Sequence, residues 1–263
     1  MPKFAIVAAA LLGGFTLPLA ISAQELAAGV AAYEAGDYAA ALQELMPLAD
    51  QGNAEAQANL GRMYRDGKGV PQSDTEAVRW FRRAADQGYA MAQSNLGWMY
   101  ANGRGVPQND AEAVRWYRLA ADQGHARAQT NLGWMYANGR GVPQNDAEAV
   151  RWYRLAADQG DARAQSNLGV MHRDGRGAPQ SDAEAVRWFR LAAEQGDALA
   201  QISLGWMYAN GRGVPQNDTE FVRWYRLAAD QGNASAQGIL GNMYDNGRGV
   251  PQNDAEAVRW YRL

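Results

Sequence analysis

Hydrophobic and polar positions along this chain follow one pattern that returns at a fixed interval. The copy at residues 89–124 is the clearest, and the pair Gln-Gly closes this copy as it closes the others. That pair returns every 36 residues, from Gln51-Gly52 to Gln231-Gly232, without an insertion. A fixed period of this length predicts a stack of similar units that each contact only their neighbours.

Each copy predicts two helices joined by a loop. In both halves apolar residues recur three and four positions apart, which is typical of a helix with one buried face. Gly103 predicts the end of the first helix, because glycine tolerates the left-handed backbone of a helix end. Asn109, with Glu112 three residues later, has the spacing of a capping box and predicts the start of the second helix.

A glycine inside the first helix is the least expected residue of the pattern. Gly133 and its equivalents recur in each copy, although glycine in a helix interior costs about 0.8–1 kcal/mol relative to alanine. We therefore predict that the partner helix approaches closely at this glycine, at its Trp/Tyr ridge. The equivalents are Gly61, Gly97, Gly169, Gly205 and Gly241.

The pattern divides the chain into a leader, a first helix pair and six repeats. Residues 1–23 form the predicted leader, and residues 24–52 form a helix pair that lacks the long loop and caps the stack. The predicted repeats span residues 53–88, 89–124, 125–160, 161–196, 197–232 and 233–263, of which the last is incomplete. Because no closing helix follows the last repeat, we expect it to fray or to support self-association.

The predicted leader has the order of a secretory signal peptide. Lys3 precedes an apolar run from Phe4 to Ala20, and small residues follow up to Ala23, where we place the cleavage. An uncleaved membrane anchor is the alternative, but Pro18 and a Gly-Gly pair weaken a spanning helix. The leader predicts a periplasmic or secreted protein.

The repeat resembles the Sel1-like repeat, a relative of the tetratricopeptide repeat with a longer loop. In the copy at 125–160 the resemblance is carried by Ala128-Gln129, Leu132-Gly133, Met135-Tyr136, Gly139 to Val142, Asp146, Ala149, Trp152-Tyr153 and Ala156 to Gly160. The resemblance implies an all-α fold, an α/α superhelical solenoid whose concave groove is lined by the first helices. It also implies an exported bacterial scaffold for protein complexes.

Composition and charge narrow the function classes. The net charge is −3 and basic residues alternate with acidic ones, which argues against a nucleic-acid partner. The chain has no cysteine, so disulfides and cysteine-ligated metals are excluded. His125 and His172 are 47 positions apart, and the Gly-Arg-Gly loops lack the lysine of a phosphate-binding loop. We therefore predict no catalytic residue, no metal and no cofactor.

Comparison between the copies locates the positions that change. They are the third, sixth, tenth and thirteenth residues of each copy, which lie on one side of the first helix. We name this set the variable stripe and expect a partner to bind it. The predicted binding residues are Met91, Ser94, Trp98, Arg127, Thr130, Trp134, Arg163, Ser166, Val170, Leu199, Ile202 and Trp206.

The tryptophans of the variable stripe leave more than one function open. Trp98, Trp134 and Trp206 suit a protein interface, where tryptophan and arginine are enriched among the residues that dominate binding. They can instead pack between neighbouring helices. Our main interpretation is a non-enzymatic scaffold that binds a protein or peptide. The alternatives are a binder of envelope glycan or peptidoglycan and, less favoured, a hydrolase of cell-wall material.

Overall fold

The chain folds into helix pairs along its described length. The computed structural model describes residues 17–263, with side chains from residue 23 onward, so the predicted leader lies for the most part outside it and stays a prediction. The described helices are α1 (Leu17–Ala35), α2 (Tyr38–Asp50), α3 (Ala54–Asp66), α4 (Asp74–Asp86), α5 (Ala90–Asn102), α6 (Asp110–Asp122), α7 (Ala126–Asn138), α8 (Asp146–Asp158), α9 (Ala162–Asp174), α10 (Asp182–Glu194), α11 (Ala198–Asn210), α12 (Asp218–Asp230), α13 (Ala234–Asn246) and α14 (Asp254–Tyr261).

These helices form two compact units, one ending at Gln108 and one spanning Asn109–Leu263. Within each unit every helix packs against the helices next to it along the chain. The described residues contain no strand. The prediction of an all-α solenoid of helix-turn-helix repeats is confirmed.

Short side chains at the helix starts explain why the elements begin where they do. Asn53 accepts a hydrogen bond from the Ala56 N–H at 2.9 Å, and Asn145 accepts one from the Glu148 N–H at 3.0 Å. Each bond satisfies a helix donor that has no partner within the helix. At the other end, Gly103 adopts φ 64°, so the predicted left-handed stop of the first helix is confirmed.

Only half of the predicted capping box is formed. The N–H of Asn145 donates to the carbonyl of Tyr136 in the first helix of the same repeat, at 3.0 Å. Glu148 therefore has no donor to return to at the cap. Its carboxylate instead accepts from Arg151, one turn further along the helix, at 3.3 Å.

The glycine inside the first helix marks the close approach that the sequence predicts. A Cβ added to Gly133 would lie 2.8 Å from the ring of Tyr153 and 3.2 Å from the carbonyl oxygen of Ala149. Gly169 meets the ring of Phe189 in the same way, at 2.6 Å. The close approach is confirmed, and its aromatic partner is the residue after the tryptophan of the second helix.

The Gly-Arg-Gly loop fastens each of these repeats to the one before it. Arg176 donates to both carboxylate oxygens of Asp146, at 2.8 and 3.1 Å, and a Cβ on Gly177 would overlap the Asp146 carbonyl oxygen. We name this arrangement the loop clasp. The loop clasp gives the Gly-Arg-Gly sequence a structural role in joining two repeats. The equivalent pairs are Arg104–Asp74, Arg140–Asp110, Arg212–Asp182 and Arg248–Asp218.

Candidate binding site on the first-helix face

The variable stripe is exposed at some positions and buried at others. Its third residues, Arg127, Arg163 and Leu199, are exposed, and Leu199 keeps 67% of its surface. Trp134 and Trp206 are exposed by 41% and 38%. The remaining predicted residues that are only half-buried are Met91, Trp98, Val170 and Ile202.

The sixth residues of the stripe are packing residues. Ser94, Thr130 and Ser166 are buried. The hydroxyl of Thr130 is 3.1 Å from the Ala126 carbonyl and 3.1 Å from the carboxylate of Asp161, the cap of the next repeat. The prediction that these three small residues form an open binding surface therefore needs correction, because a small side chain at this point lets the next repeat approach.

The stripe tryptophans have one face on an arginine. The guanidinium of Arg140 lies 5.2 Å from the ring centre of Trp134, and Arg212 lies 5.3 Å from that of Trp206. Both arginines belong to loop clasps, so they are fixed by an aspartate of the preceding repeat. Each ring is thus held in place by packing and still offers surface to a partner, which combines the two interpretations that the sequence left open.

Several predicted residues meet at one depression of about 420 Å³ between α7, α9 and α11. An adjoining depression of about 350 Å³ includes Arg127 and shares Thr130 and Arg163 with the first. The first is lined by Thr130, Asn131, Trp134, Arg163, Ser166, Asn167, Asp197 and Leu199. Five of the predicted site residues are therefore brought together here.

The other predicted residues do not line these depressions. Val170, Ile202 and Trp206 belong to the same compact unit but lie outside the lining. Met91, Ser94 and Trp98 belong to the compact unit that ends at Gln108. The candidate site thus narrows to the face formed by α7, α9 and the start of α11.

Two asparagines of the site were not predicted. Asn131 and Asn167 line the depression, and among the described residues neither side chain has a hydrogen-bond partner. The equivalent Asn95 accepts a hydrogen bond from Arg65 of the preceding repeat at 2.7 Å. The residue of the preceding repeat that corresponds to this donor is Ala137 in the case of Asn167, and alanine has no side-chain donor. Asparagine recurs at this position in several repeats, so the position resembled part of the constant core. The signal that could have identified Asn131 and Asn167 is the replacement of Arg65 by alanine at the equivalent positions of the next two repeats.

Charged and titratable groups near the site are mostly engaged in structural bonds. The Asp197 carboxylate caps α11 by accepting from the Ala200 N–H at 2.7 Å. His125 caps α7 through Nδ1, and burial, followed by the charge of Arg127, lowers the pKa of its imidazole. His172 is buried and its Nε2 lies 3.2 Å from Arg154, which can only donate.

The described residues 17–263 contain no group of three or more histidines or acids placed to hold a metal ion. Burial raises the pKa of the Tyr153 hydroxyl far above its usual range, so this phenol stays protonated.

None of the helices in the described part of the chain is both long and apolar enough to cross a membrane.

Comparison with known proteins agrees with this architecture. The family model described as Sel1 repeat matches residues 54–89, 90–125, 126–161, 162–197, 198–233 and 234–263. The chain belongs to the Sel1-repeat family. Sel1 repeats generally mediate protein–protein interaction, and their solenoid is typically a non-catalytic scaffold. No curated protein matches the sequence.

Solved Sel1-repeat structures resemble the chain over most of its length. A Sel1 repeat protein from Oxalobacter formigenes is 36% identical, with a TM-score of 0.83 over 90% of this chain and 95% of that one. A protective antigen of uropathogenic Escherichia coli strains, described as displaying an SLR fold, is 37% identical with a TM-score of 0.80. The match covers 92% of this chain and 52% of the antigen. An immunity protein from Pseudomonas aeruginosa, 19% identical with a TM-score of 0.51 over 80% of each chain, shares the fold alone.

Proposed function

We propose that this Sel1-repeat protein binds an extended segment of a partner protein in the depression between α7, α9 and α11. The observation that carries the proposal is the pair of half-buried amides, Asn131 and Asn167, that have no partner among the described residues. An asparagine amide can donate to a peptide carbonyl and accept from a peptide N–H at once. Two of them, one repeat apart, suit a peptide backbone that runs across the repeats.

Apolar side chains that line the same depression support the same proposal. Trp134 and Leu199 line the depression and are among the exposed large hydrophobic residues of the chain. Burial of such side chains by a partner provides affinity, while the amides fix the position of the backbone. The Arg140 guanidinium already holds the Trp134 ring, so little side-chain entropy is lost on binding.

An envelope glycan is the alternative ligand, because an exposed indole can stack on a sugar ring. Trp134 and Trp206 are two repeats apart, and Val170 occupies the position between them. A row of stacking platforms is therefore interrupted, which favours the peptide. Binding of the protein to sedimented peptidoglycan, without binding to any peptide, would reverse this preference.

The proposal places the protein outside the cytoplasm. It rests on the order of Lys3, the apolar run and the small residues up to Ala23. N-terminal sequencing of the protein from the envelope or medium should begin at Gln24 if the leader is removed there. Self-association remains a separate prediction, and light scattering over a range of concentrations tests it.

A displayed library of short random peptides tests the proposed function. We expect the wild-type protein to enrich peptides that the Asn131→Ala/Asn167→Ala variant does not retain. Leu199→Ala should weaken binding of the enriched peptides. Leu191→Ala removes a leucine that is also exposed, by 38%, but lies on α10 outside the depression, and should leave binding unchanged. Equal enrichment by the wild type and the asparagine variant, with unchanged melting temperatures, would refute the proposed site.

A further inference from the structure

Arginines of the unit Asn109–Leu263 are almost all engaged within the protein. Those of the second helices bind a glutamate one turn before them or the Tyr or His of the next repeat, and those of the loops bind a clasp aspartate. Arg173 binds the neighbouring Asp174. The engaged arginines are Arg115, Arg118, Arg140, Arg151, Arg154, Arg176, Arg187, Arg190, Arg212, Arg223, Arg226, Arg248 and Arg259.

Between Arg115 and Arg259, Arg127 and Arg163 differ from this set. Both are exposed, and neither makes a hydrogen bond or an ion pair with any residue that the structure describes. They hold the third position of adjacent first helices and both line the smaller depression, while Arg163 also lines the larger one. The third position holds Glu55, Met91, Leu199 or Ser235 in the other repeats, so the basic pair is particular to this face.

Acidic side chains in the same depressions form hydrogen bonds at helix ends and no ion pair with Arg127 or Arg163 among the described residues. Asp161 accepts from the Ala164 N–H at 2.8 Å and lies 3.1 Å from the Thr130 hydroxyl. Asp197 accepts from the Ala200 N–H at 2.7 Å. Both carboxylates sit at helix N-termini, where a positive charge of about half a unit offsets part of the charge of each. The two guanidinium groups are left to bind an anion from outside, and their planar donor array matches a carboxylate.

Spacing along the face relates the arginines to the apolar side of the site. Arg127, Arg163 and Leu199 occupy the third position in three successive repeats. Packed helices lie roughly 8–10 Å apart, and an extended peptide advances about 3.3 Å per residue, so one repeat corresponds to about three peptide residues. Leu199 follows the two arginines in the next repeat, which corresponds to about three further peptide residues.

We infer that the bound segment is an acidic peptide with two carboxylates about three residues apart and a large apolar side chain at the next such interval. The inference rests on the proposed function and specifies its ligand. In this arrangement Arg127 and Arg163 each bind a carboxylate. The apolar side chain lies against Leu199, and Asn131 and Asn167 hold the backbone between these contacts.

The random-peptide library also tests this inference. Peptides enriched by the wild type should carry Asp or Glu at the stated interval beside a large apolar residue. For a synthetic peptide of that sequence, Arg127→Gln/Arg163→Gln should lower affinity by about tenfold per arginine removed. The control Arg151→Gln/Arg187→Gln removes the same charge from α8 and α10, outside both depressions, and should change affinity little.

The possible failures can be told apart. If the enriched peptides lack acids and bind the arginine variant as well as the wild type, the inference fails while the proposed function stands. If a peptide of the same composition but scrambled order binds equally well, the spacing is wrong. If no peptide distinguishes the wild type from the asparagine variant, the proposed function fails and the inference fails with it.

Discussion

The first-helix face of α3 and α5 differs from that of α7 and α9, although the same frame lies beneath both. On the former, Arg62 donates to Asn59 at 3.1 Å and Arg65 donates to Asn95 at 2.7 Å. On the latter, Asn131 and Asn167 have no such donor among the described residues. The difference teaches that an arginine, on the same helix or one repeat earlier, decides whether an asparagine is used within the protein or offered to a ligand. We call the two surfaces the closed face and the open face.

The largest expected effect comes from breaking the frame that both faces share. Gly133→Ala should lower the free energy of unfolding by about 1–3 kcal/mol, because its Cβ would meet the Tyr153 ring at 2.8 Å. Gly238→Ala is the matched control in α13, where an added Cβ meets nothing within 4 Å. We expect that control to be stabilising by about 0.4–1 kcal/mol. Denaturant unfolding measures both, and a neutral Gly133→Ala would contradict the role of the close approach.

Converting the open face into a closed one should weaken the binding of a peptide. Ala137→Arg/Asn138→Asp recreates the Arg65–Asp66 pair one step before Asn167. We expect the affinity for a selected peptide to fall about tenfold, since the amide of Asn167 acquires an internal donor. Ala137 is buried, so we expect some loss of stability from the larger side chain, and binding is compared once the melting temperature shows that the variant is folded. Undiminished peptide binding, measured by fluorescence anisotropy, would show that this amide is not part of the site.

Removing one loop clasp should loosen two neighbouring repeats. Arg176→Ala takes away hydrogen bonds to Asp146 and to the Ala137 carbonyl, and we expect a loss of about 1 kcal/mol, because the pair is partly exposed. Arg151→Ala, which removes a more exposed pair with Glu148, should cost less than about 0.5 kcal/mol. Amide exchange should quicken in α8 and α9 for the first variant only. Equal costs for the two variants would argue against the clasp.

The smallest expected effect is a pH dependence at the start of α7. Burial lowers the pKa of His125 in the folded state, so the unfolded chain binds the proton more readily, and stability falls as the pH drops below about 6.5. Protonation also removes the Nδ1 acceptor that caps the Ala128 N–H. His125→Asn keeps a cap that does not titrate, as Asn53 and Asn233 do.

The measurement compares unfolding free energies at about pH 7.5 and about pH 5. The wild type should lose up to about 1 kcal/mol more than His125→Asn between these conditions. Carboxylates such as Asp174 and Asp218, whose pKa values are lowered by Arg173 and Arg248, titrate in both proteins and cancel in the comparison. An equal loss in both proteins would exclude His125 as the source.

Most of the frame could be predicted from the sequence because its determinants are local and repeated. Gly133 has a close neighbour and Gly103 has a left-handed backbone, as predicted. The capping box was only half right, because the N–H of Asn145 binds the Tyr136 carbonyl across the loop. That bond depends on how the loop folds back, which the local spacing of Asn145 and Glu148 does not reveal.

The candidate site was harder to predict because it depends on contacts between repeats. The periodic comparison found Trp134, Arg163 and Leu199, which vary and line the depression. It also selected Ser166, which is buried, since variation alone does not distinguish an exposed position from one that adjusts packing. It missed Asn167, because asparagine recurs at this position in the first four repeats and what changes is the partner thirty residues earlier.

The uniform loop clasp makes the repeats interchangeable parts. If residues 125–160 were excised, Gly124 would join Asp161, and Arg176 would meet Asp110 in place of Asp146, with the same chemistry. Gain or loss of a whole repeat by recombination therefore leaves a loop clasp at the new junction. It would nevertheless delete Asn131, Trp134 and Arg127 together. Such a chain could shorten without misfolding and lose its ligand in one genetic event.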